Sequence, residues 1–246
     1  MNRSLGHLLN GRVRHDQPTQ GFRSGIEPVL LAASIPARPG ERVLEAGSGS
    51  GAALLCLAER VPGIEGIGLE REPALAALAR DNAQADGRSG LSFVAADIRR
   101  PPVRGPFDHA FANPPYHLAP GTASPMPTRD RAKRADPTEL ALWAKAMAGL
   151  LRHRGTLTFI LPAAHLPACL AAMTGAGCGV ALVVPLWPRS GEASKLMIVR
   201  GIRGGRMPTV LHPGLVLHRP EGGFTQAADA VLRQGSGLFD AADRPQ

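Results

Sequence analysis

Cysteine is scarce in this chain of 246 residues. Its three cysteines, Cys56, Cys169 and Cys178, are scattered, so the Cys-x-x-Cys spacing of zinc and redox sites is absent. The eight histidines are dispersed in the same way. The sequence therefore predicts neither a metal site nor a disulfide framework, and it predicts that the three thiols are small buried apolar side chains.

Long apolar runs are also missing. No stretch reaches the ~20 apolar residues that a helix needs to cross a bilayer, and residues 1–7 lack the apolar centre of a secretory leader. These absences predict a cytoplasmic protein without a membrane span. The length suits one large domain with a sizeable core, and no internal repeat or linker divides it.

The chain has fewer acidic than basic residues. Lysine and arginine total 28 against 20 acidic residues, which gives a net charge of +8 and a sequence pI of about 10.6. Such a surplus suits a polyanionic partner such as a nucleic acid. A general preference for arginine on the surface explains the same numbers, so composition alone leaves both interpretations open.

The most informative stretch that is present is Asn113-Pro114-Pro115-Tyr116, which ends the apolar run at residues 107–112. The two prolines stop a strand and fix a rigid turn, because each restricts its own φ and biases the preceding residue toward extended geometry. The Asn113 side chain and the Pro114 carbonyl then lie side by side as hydrogen-bond acceptors. This arrangement suits a planar substrate with an exocyclic amino group, and the Tyr116 ring is placed to stack on it. Alone, the motif also fits a simple proline-rich turn.

A glycine-rich turn lies upstream. Residues 41–45 form a predicted buried strand, and Gly47, Gly49 and Gly51 follow before a predicted helix at 52–60. Such a turn lets the backbone approach a ligand closely and points amide N–H groups at it. The spacing also fits a nicotinamide-binding loop. Glu45 argues against that alternative, because a carboxylate there repels a pyrophosphate but suits the cationic amino-acid end of S-adenosylmethionine.

Four polar side chains are predicted at the ends of successive strands: Glu45, Glu70, Asp97 and Asn113. Glu70 ends the predicted strand 64–70, about 20 residues after the loop, where a partner of ribose hydroxyls is expected. Asp97 ends the predicted strand 90–97 and is a candidate acceptor for an adenine amino group. In open α/β sheets this carboxyl edge is where ligands bind.

Together these residues resemble the class I S-adenosylmethionine-dependent methyltransferases with an Asn-Pro-Pro-Tyr signature. Within that group the chain is similar to the bacterial valine-tRNA adenine-N6-methyltransferases. The resemblance spans most of the chain from Gln17 onward, and it includes residues 21–27, the apolar residues 29–31, the glycine loop and the signature with His117. Glu27 stands where the family often has aspartate.

The resemblance implies a Rossmann-like α/β fold, with a seven-stranded, mostly parallel sheet that ends in an antiparallel hairpin. We expect one domain with an N-terminal cap (1–35), a catalytic core (36–205) and a C-terminal extension (206–246). The implied activity is methyl transfer to an adenine of tRNA, in the anticodon loop of valine tRNA. The implied catalytic residues are Asn113, Pro114, Pro115 and Tyr116. The implied residues that bind S-adenosylmethionine are Phe22, Glu45, Gly47, Gly49, Gly51, Glu70, Asp97 and Asn113.

The RNA is expected to contact the basic segment that follows the signature. Its cations are Arg129, Arg131, Lys133 and Arg134. Several alternatives stay open: an rRNA or DNA base, or the glutamine amide of a release factor, as the methyl acceptor. The glycine loop also fits a nicotinamide-dependent oxidoreductase, but that interpretation gives the signature no role. A non-catalytic RNA-binding protein is a further alternative, but such a protein does not need the acids expected to bind the cofactor.

The remaining periodicity predicts helices at 73–85, 137–152, 166–174 and 227–232. It also predicts strands at 156–161, 180–184 and 195–200, of which the last two form the closing hairpin. In the helix at 137–152, the apolar residues recur at helical spacing and are predicted to face the core. They are Leu140, Trp143, Met147 and Leu150.

Overall fold

A computed structural model of the chain describes residues 3–19, 25–115 and 137–239. Six of the expected site residues lie outside these ranges. They are Phe22, Tyr116, Arg129, Arg131, Lys133 and Arg134.

The chain begins with four two-residue strands, β1 (Arg3–Ser4), β2 (His7–Leu8), β3 (Val13–Arg14) and β4 (Gln17–Pro18). They pair antiparallel, β1 with β4 and β2 with β3, around a short 3-10 helix at Leu9–Gly11. The helix α1 (Glu27–Ser34) follows, and all its residues from 28 to 34 are buried. The N-terminal region is therefore packed onto the body of the protein.

Within the described ranges, the central sheet contains nine strands. They are β5 (Arg42–Ala46), β6 (Glu65–Glu70), β7 (Leu91–Ala95), β8 (Phe107–Ala112), β9 (Leu151–Pro162), β10 (Cys178–Trp187), β11 (Leu196–Arg203), β12 (Val210–Leu211) and β13 (Leu215–Val216). Their order is β12-β10-β11-β9-β8-β5-β6-β7, and β13 also pairs with β10. Strands β5 to β9 run parallel, whereas β11 is antiparallel to both β9 and β10.

Helices cover both faces of this sheet: α2 (Ala52–Arg60), α3 (Pro73–Ala85), α4 (Pro137–Leu150), α5 (Leu166–Gly175) and α6 (Gln226–Leu232). One hydrophobic cluster joins α1, α2, α3 and α6 to side chains such as Val43 and Phe111. The other joins α4 and α5 to their strand neighbours, Leu44 and Ala110. Successive strand residues thus point to opposite faces and are buried on both, as in parallel sheets.

The predicted α/β fold is confirmed, and so is the antiparallel closing hairpin, in which Leu186 pairs with Leu196. The sheet has two strands more than the predicted seven, because β12 and β13 of the C-terminal extension add to the outer strand β10. The helix predicted to reach residue 152 ends at Leu150, since Leu151 already pairs with Phe107 of β8.

The three cysteines are free and buried, as predicted. In the ranges that the structure describes, no helix is long and apolar enough to cross a membrane. Over the same ranges, no cluster of three or more His, Cys, Asp and Glu side chains is placed to hold a metal ion.

The strand order reverses between β5 and β8. From β5 the chain moves to β6 and β7 on one side, and it then crosses to β8 and β9 on the other. The carboxyl ends of β5 and β8 therefore flank a topological switch point, where open α/β sheets bind their ligands. The glycine loop follows β5, and Asn113 follows β8.

Candidate active site at the switch point of the sheet

The glycine loop is fixed by backbone hydrogen bonds. Both Gly47 N (2.8 Å) and Ser48 N (3.0 Å) donate to the carbonyl oxygen of Leu69 on β6, and Gly51 N donates to Ser48 O at 2.8 Å. All three glycines have positive φ, at 68° for Gly47, 54° for Gly49 and 91° for Gly51. Glycine adopts this backbone without steric cost, and the sequence therefore forms a tight loop between β5 and α2.

The three glycines have different surroundings. A Cβ atom at Gly51 would lie 2.9 Å from Cζ of Phe93, and one at Gly47 would lie 2.9 Å from Cη2 of Trp143. At Gly49, in contrast, no atom of the described residues lies within 4 Å of such a Cβ. Gly51 thus allows α2 to pack closely, Gly47 admits the indole ring, and Gly49 presents bare backbone to open space. The middle glycine is where a ligand can approach most closely.

Glu45 lies beneath the loop. Its side chain is buried, with 4% of the residue exposed, and Oε2 accepts a hydrogen bond from Leu54 N in the first turn of α2 at 3.1 Å. Burial raises the pKa of this carboxyl well above its usual range, and nearby Glu70 raises it further. A cationic ligand at the loop would favour the ionised form of Glu45. That Glu45 lies close to the amino-acid end of a cationic cofactor stays a prediction.

Glu70 ends β6 next to the loop. Its Oε2 accepts a hydrogen bond from Gly49 N at 2.8 Å, and its Oε1 accepts one from Glu72 N at 2.8 Å. The carboxylate therefore holds the middle glycine of the loop. Each carboxylate oxygen can accept a further hydrogen bond. Glu70 can therefore accept hydrogen bonds from ribose hydroxyls in addition to those from the two backbone N–H groups.

Asp97, two residues beyond β7, is held by Arg99. The Arg99 backbone N–H donates to Oδ1 of Asp97 at 2.9 Å, and the guanidinium forms an ion pair with the same carboxylate. These hydrogen bonds with Arg99 lower the pKa of Asp97. The guanidinium also lies 3.5 Å from Oε1 of Glu139 in the first turn of α4. Arg99 thus links Asp97, which is expected to bind the adenine of the cofactor, to helix α4.

Asn113 and Pro114 lie beside the glycine loop. In the register of β5 with β8, Ala46 pairs with Ala112. The next residues, Gly47 and Asn113, consequently leave neighbouring strands about 5 Å apart. Asn113 and Pro115 are half-buried, and Pro114 is buried. The structure therefore brings three described signature residues and the loop to one edge, together with Glu45, Glu70 and Asp97.

Sequence reasoning missed two contributions to this edge. Trp143 packs against the hydrophobic cluster of α4 as predicted, but its half-buried ring also lies against Gly47. His15 was not singled out, yet its Nε2 lies 2.8 Å from Oγ of Ser50 inside the loop. Helical spacing does not distinguish an aromatic ring at a site from one in the core, and no motif connects positions 15 and 50.

The residues present fit S-adenosylmethionine. The open face at Gly49 admits a ligand, and Glu70 contacts this glycine, while Glu45 and Asp97 lie at or just beyond the ends of β5 and β7. The buried hydroxyl of Ser48 has no hydrogen-bond partner among the described residues and is available to a polar group. A cationic, hydroxyl-bearing nucleoside matches these donors and acceptors better than a pyrophosphate does.

Comparison with known proteins shows which proteins this chain is similar to. Residues 43–126 match a methyltransferase-domain family. A tRNA1(Val) (adenine(37)-N6)-methyltransferase from Actinobacillus succinogenes is 31% identical over 156 residues, which cover 61% of this chain and 64% of that protein. Over the matched regions this chain is therefore similar to methyltransferases. Its match spans slightly less than two thirds of that relative's length.

A second relative extends the similarity to most of the chain. The protein of the same name from Aeromonas hydrophila is 26% identical over 229 residues, covering 92% of this chain and 94% of the relative. A release factor glutamine methyltransferase from Rhodospirillum rubrum is 39% identical, but over only 77 residues, or 31% of this chain and 24% of that protein. The match to this second kind of methyltransferase is confined to a part of the chain.

A solved structure supports the fold. The crystal structure described as a predicted O-methyltransferase from Agrobacterium tumefaciens superposes with a TM-score of 0.70 and 23% identity. The match covers 87% of this chain and 98% of that chain. At this identity the similarity shows that the two chains share a fold.

Proposed function

We propose that this methyltransferase transfers a methyl group from S-adenosylmethionine to the amino nitrogen of an adenine in tRNA, in the anticodon loop of valine tRNA. The observation that carries the proposal is the pairing of Ala46 with Ala112, which sets Asn113 and Pro114 beside the glycine loop. Methyl donor and amino acceptor are thereby held at one edge of the sheet.

The chemistry needs help because the amino group of adenine is a poor nucleophile, its lone pair being delocalised into the ring. Asn113 Oδ1 and the Pro114 carbonyl accept hydrogen bonds from the two amino protons. This draws the nitrogen toward tetrahedral geometry and restores lone-pair density on the side that faces the loop. Positioning contributes much of the rest, since holding reactants in attack geometry supplies roughly 7–11 kcal/mol. Tyr116 stacks on the extruded base, an interaction worth about 1–3 kcal/mol.

The bound cofactor supplies an electrophilic methyl group on a sulfonium. Glu70 holds the ribose hydroxyls and Asp97 the adenine amino group, while Gly49 provides the close backbone approach. Buried Glu45 balances the positive charge from beneath the loop. Trp143, whose ring lies against Gly47, forms part of the wall of the pocket. No side chain with a shifted pKa is required as a base, because the methylated cationic product loses its proton readily.

The choice of tRNA rests on the relatives and on charge. The similarity to the Aeromonas protein runs beyond the methyltransferase domain into the C-terminal region. Net charge is +8, and Arg129, Arg131, Lys133 and Arg134 follow the signature directly. They contact phosphates while the adenine is flipped toward Asn113.

The test is transfer of labelled methyl groups to purified valine tRNA, duplex DNA and a release factor in parallel. We expect incorporation into tRNA, and replacement of the target adenine should abolish it while much of the affinity remains. Changing Arg131 and Arg134 to alanine should weaken RNA binding and reduce its salt dependence, largely regardless of sequence. Arg38, an exposed arginine at the opposite edge of the sheet, provides a control variant.

A release factor glutamine is the second candidate acceptor. It is favoured by the same acceptor pair, which suits any planar amide, and by the short match to the Rhodospirillum protein. Preferential labelling of the release factor would overturn the tRNA assignment, although the methyl donor would remain.

A further inference from the structure

The segment between β3 and β4 packs directly on the cofactor loop. His15 is fully buried and Ser50, between Gly49 and Gly51, is 7% exposed. The distance from His15 Nε2 to Ser50 Oγ is 2.8 Å, which is a hydrogen bond between two buried side chains. A residue near the start of the chain thus contacts the hydroxyl of the loop that the proposed function uses for the cofactor.

Asn82 of α3 also connects the segment between β3 and β4 to the loop, by hydrogen bonds to backbone groups of Asp16 and Ser50. Its Oδ1 accepts from Asp16 N at 3.0 Å, and its Nδ2 donates to Asp16 O and to Ser50 O, both at 3.0 Å. Asn82 is 1% exposed, so water cannot replace these contacts without local opening. Side chain and carbonyl of Ser50 are therefore both fixed by residues outside the loop.

Holding Ser50 matters because of its neighbours. Glycine has more conformational freedom than any other residue, and the loop alternates glycine with serine from 47 to 51. The free face at Gly49 is useful to a ligand only while the loop keeps its shape. A loop that is already ordered before binding loses less entropy when the ligand binds.

We propose that His15 is a positioning residue of the cofactor site: with Asn82 it holds Ser50, and through Ser50 the glycine loop, in the conformation that S-adenosylmethionine binds. The proposal rests on the proposed use of the loop for this cofactor. Burial lowers the pKa of His15 to about 4, so the ring is neutral at pH 7 and Nε2 forms a neutral hydrogen bond. The N-terminal strands are then a part of the cofactor site.

The chain offers a matched control at the opposite edge of the sheet. His109, at the start of β8, is 5% exposed, and its Nδ1 lies 2.8 Å from Oγ1 of Thr156. It is also a buried histidine bound to a hydroxyl, but its hydroxyl belongs to β9 and not to the loop, and its Nε2 also binds Glu41 at 2.9 Å. Losing such a contact should lower the stability of the protein at both positions. If the proposal is correct, a loss of cofactor affinity should appear only at His15.

The experiment measures the affinity for S-adenosylhomocysteine and S-adenosylmethionine by calorimetry, alongside the thermal midpoint, in His15→Leu, His15→Gln, His109→Leu and Ser50→Ala. We expect His15→Leu to weaken both ligands about tenfold, which is the scale of one hydrogen bond. His15→Gln, which keeps a polar atom near the Nε2 position, should recover most of the affinity. His109→Leu should lower the thermal midpoint without changing affinity.

A double variant tests whether His15 acts on the loop through Ser50. If His15 acts through Ser50, His15→Leu should have little further effect on affinity in the Ser50→Ala background. Unchanged affinity in His15→Leu and Ser50→Ala, with a lowered thermal midpoint, would overturn the proposal. If His15→Leu does not fold, Ser50→Ala and His15→Gln decide the outcome. Failure of the wild-type protein to bind either ligand would contradict the proposed function instead.

Discussion

Two glycines of the cofactor loop should respond differently to the same change. Alanine at Gly49 or Gly51 forces an L side chain into the left-handed region, at φ values of 54° and 91°, which costs about 1–2 kcal/mol. At Gly51 the new Cβ would also lie 2.9 Å from Cζ of Phe93 and 3.3 Å from Cβ of Ala79. Such overpacking adds about 1–3 kcal/mol. At Gly49 the Cβ enters open space, so only the backbone cost applies.

These costs translate into thermal midpoints. In a chain of this size, 1 kcal/mol corresponds to about 2–4 °C, so Gly51→Ala should lower the midpoint roughly twice as far as Gly49→Ala. Affinity should show the reverse order. Gly49→Ala fills the open face at which the proposed function places the cofactor, and S-adenosylhomocysteine should bind at least about tenfold more weakly. Gly51→Ala, assayed well below its midpoint, should lose less affinity than Gly49→Ala does.

Scanning fluorimetry and calorimetric titration on the two variants give both quantities. Wild-type affinity in Gly49→Ala would refute the assignment of the open face to the cofactor. Equal losses of affinity in both variants would indicate that the loop acts only as a fold element.

Three further outcomes are expected. Asn113→Ala removes one of the two amino-group acceptors and should reduce single-turnover methyl transfer by about 10² or more, with little change in cofactor affinity by calorimetry. The hydrogen bond from His109 lowers the pKa of Glu41 below its ordinary value of 4.5. The stability it contributes is therefore present above that pH and is lost as the pH falls through the lowered value. Glu41→Gln should accordingly be less stable than wild type at pH 7 and approach it in acid, as measured by urea unfolding across pH. Cofactor should change the tryptophan fluorescence of Trp187→Phe but not of Trp143→Phe, because only Trp143 lies at the loop.

Local sequence signals predicted the regular elements well. The bounds of α2 and α3 were obtained to the residue, because Gly51 and Pro73 mark where these helices begin. The last strands were harder to predict. Residues 210–211 and 215–216 form strands only because β10 offers them a free edge, and two residues carry no periodicity of their own.

The site was predictable as a set of positions and not as a set of contacts. Strand order alone brings Asn113 beside Gly47, and the acids at the strand ends follow from the same topology. The contact of Glu70 with Gly49 N and that of Asp97 with Arg99 depend on side-chain conformations, which a one-dimensional pattern does not encode. Residues 116–136 stay outside the described ranges, so the roles assigned to that segment remain predictions.

The C-terminal end of the described chain packs on α1. Helix α6 packs on α1, and Leu238 N donates a hydrogen bond at 2.9 Å to the carbonyl oxygen of Ala33 in the last turn of α1. Phe239 lies over the buried guanidinium of Arg200, 4.9 Å from the ring centre. During synthesis on the ribosome, α1 emerges long before these partners do. Its apolar surface therefore stays partly uncovered until residues 226–239 have been made, and premature termination in that stretch should yield nascent chains that depend on chaperones.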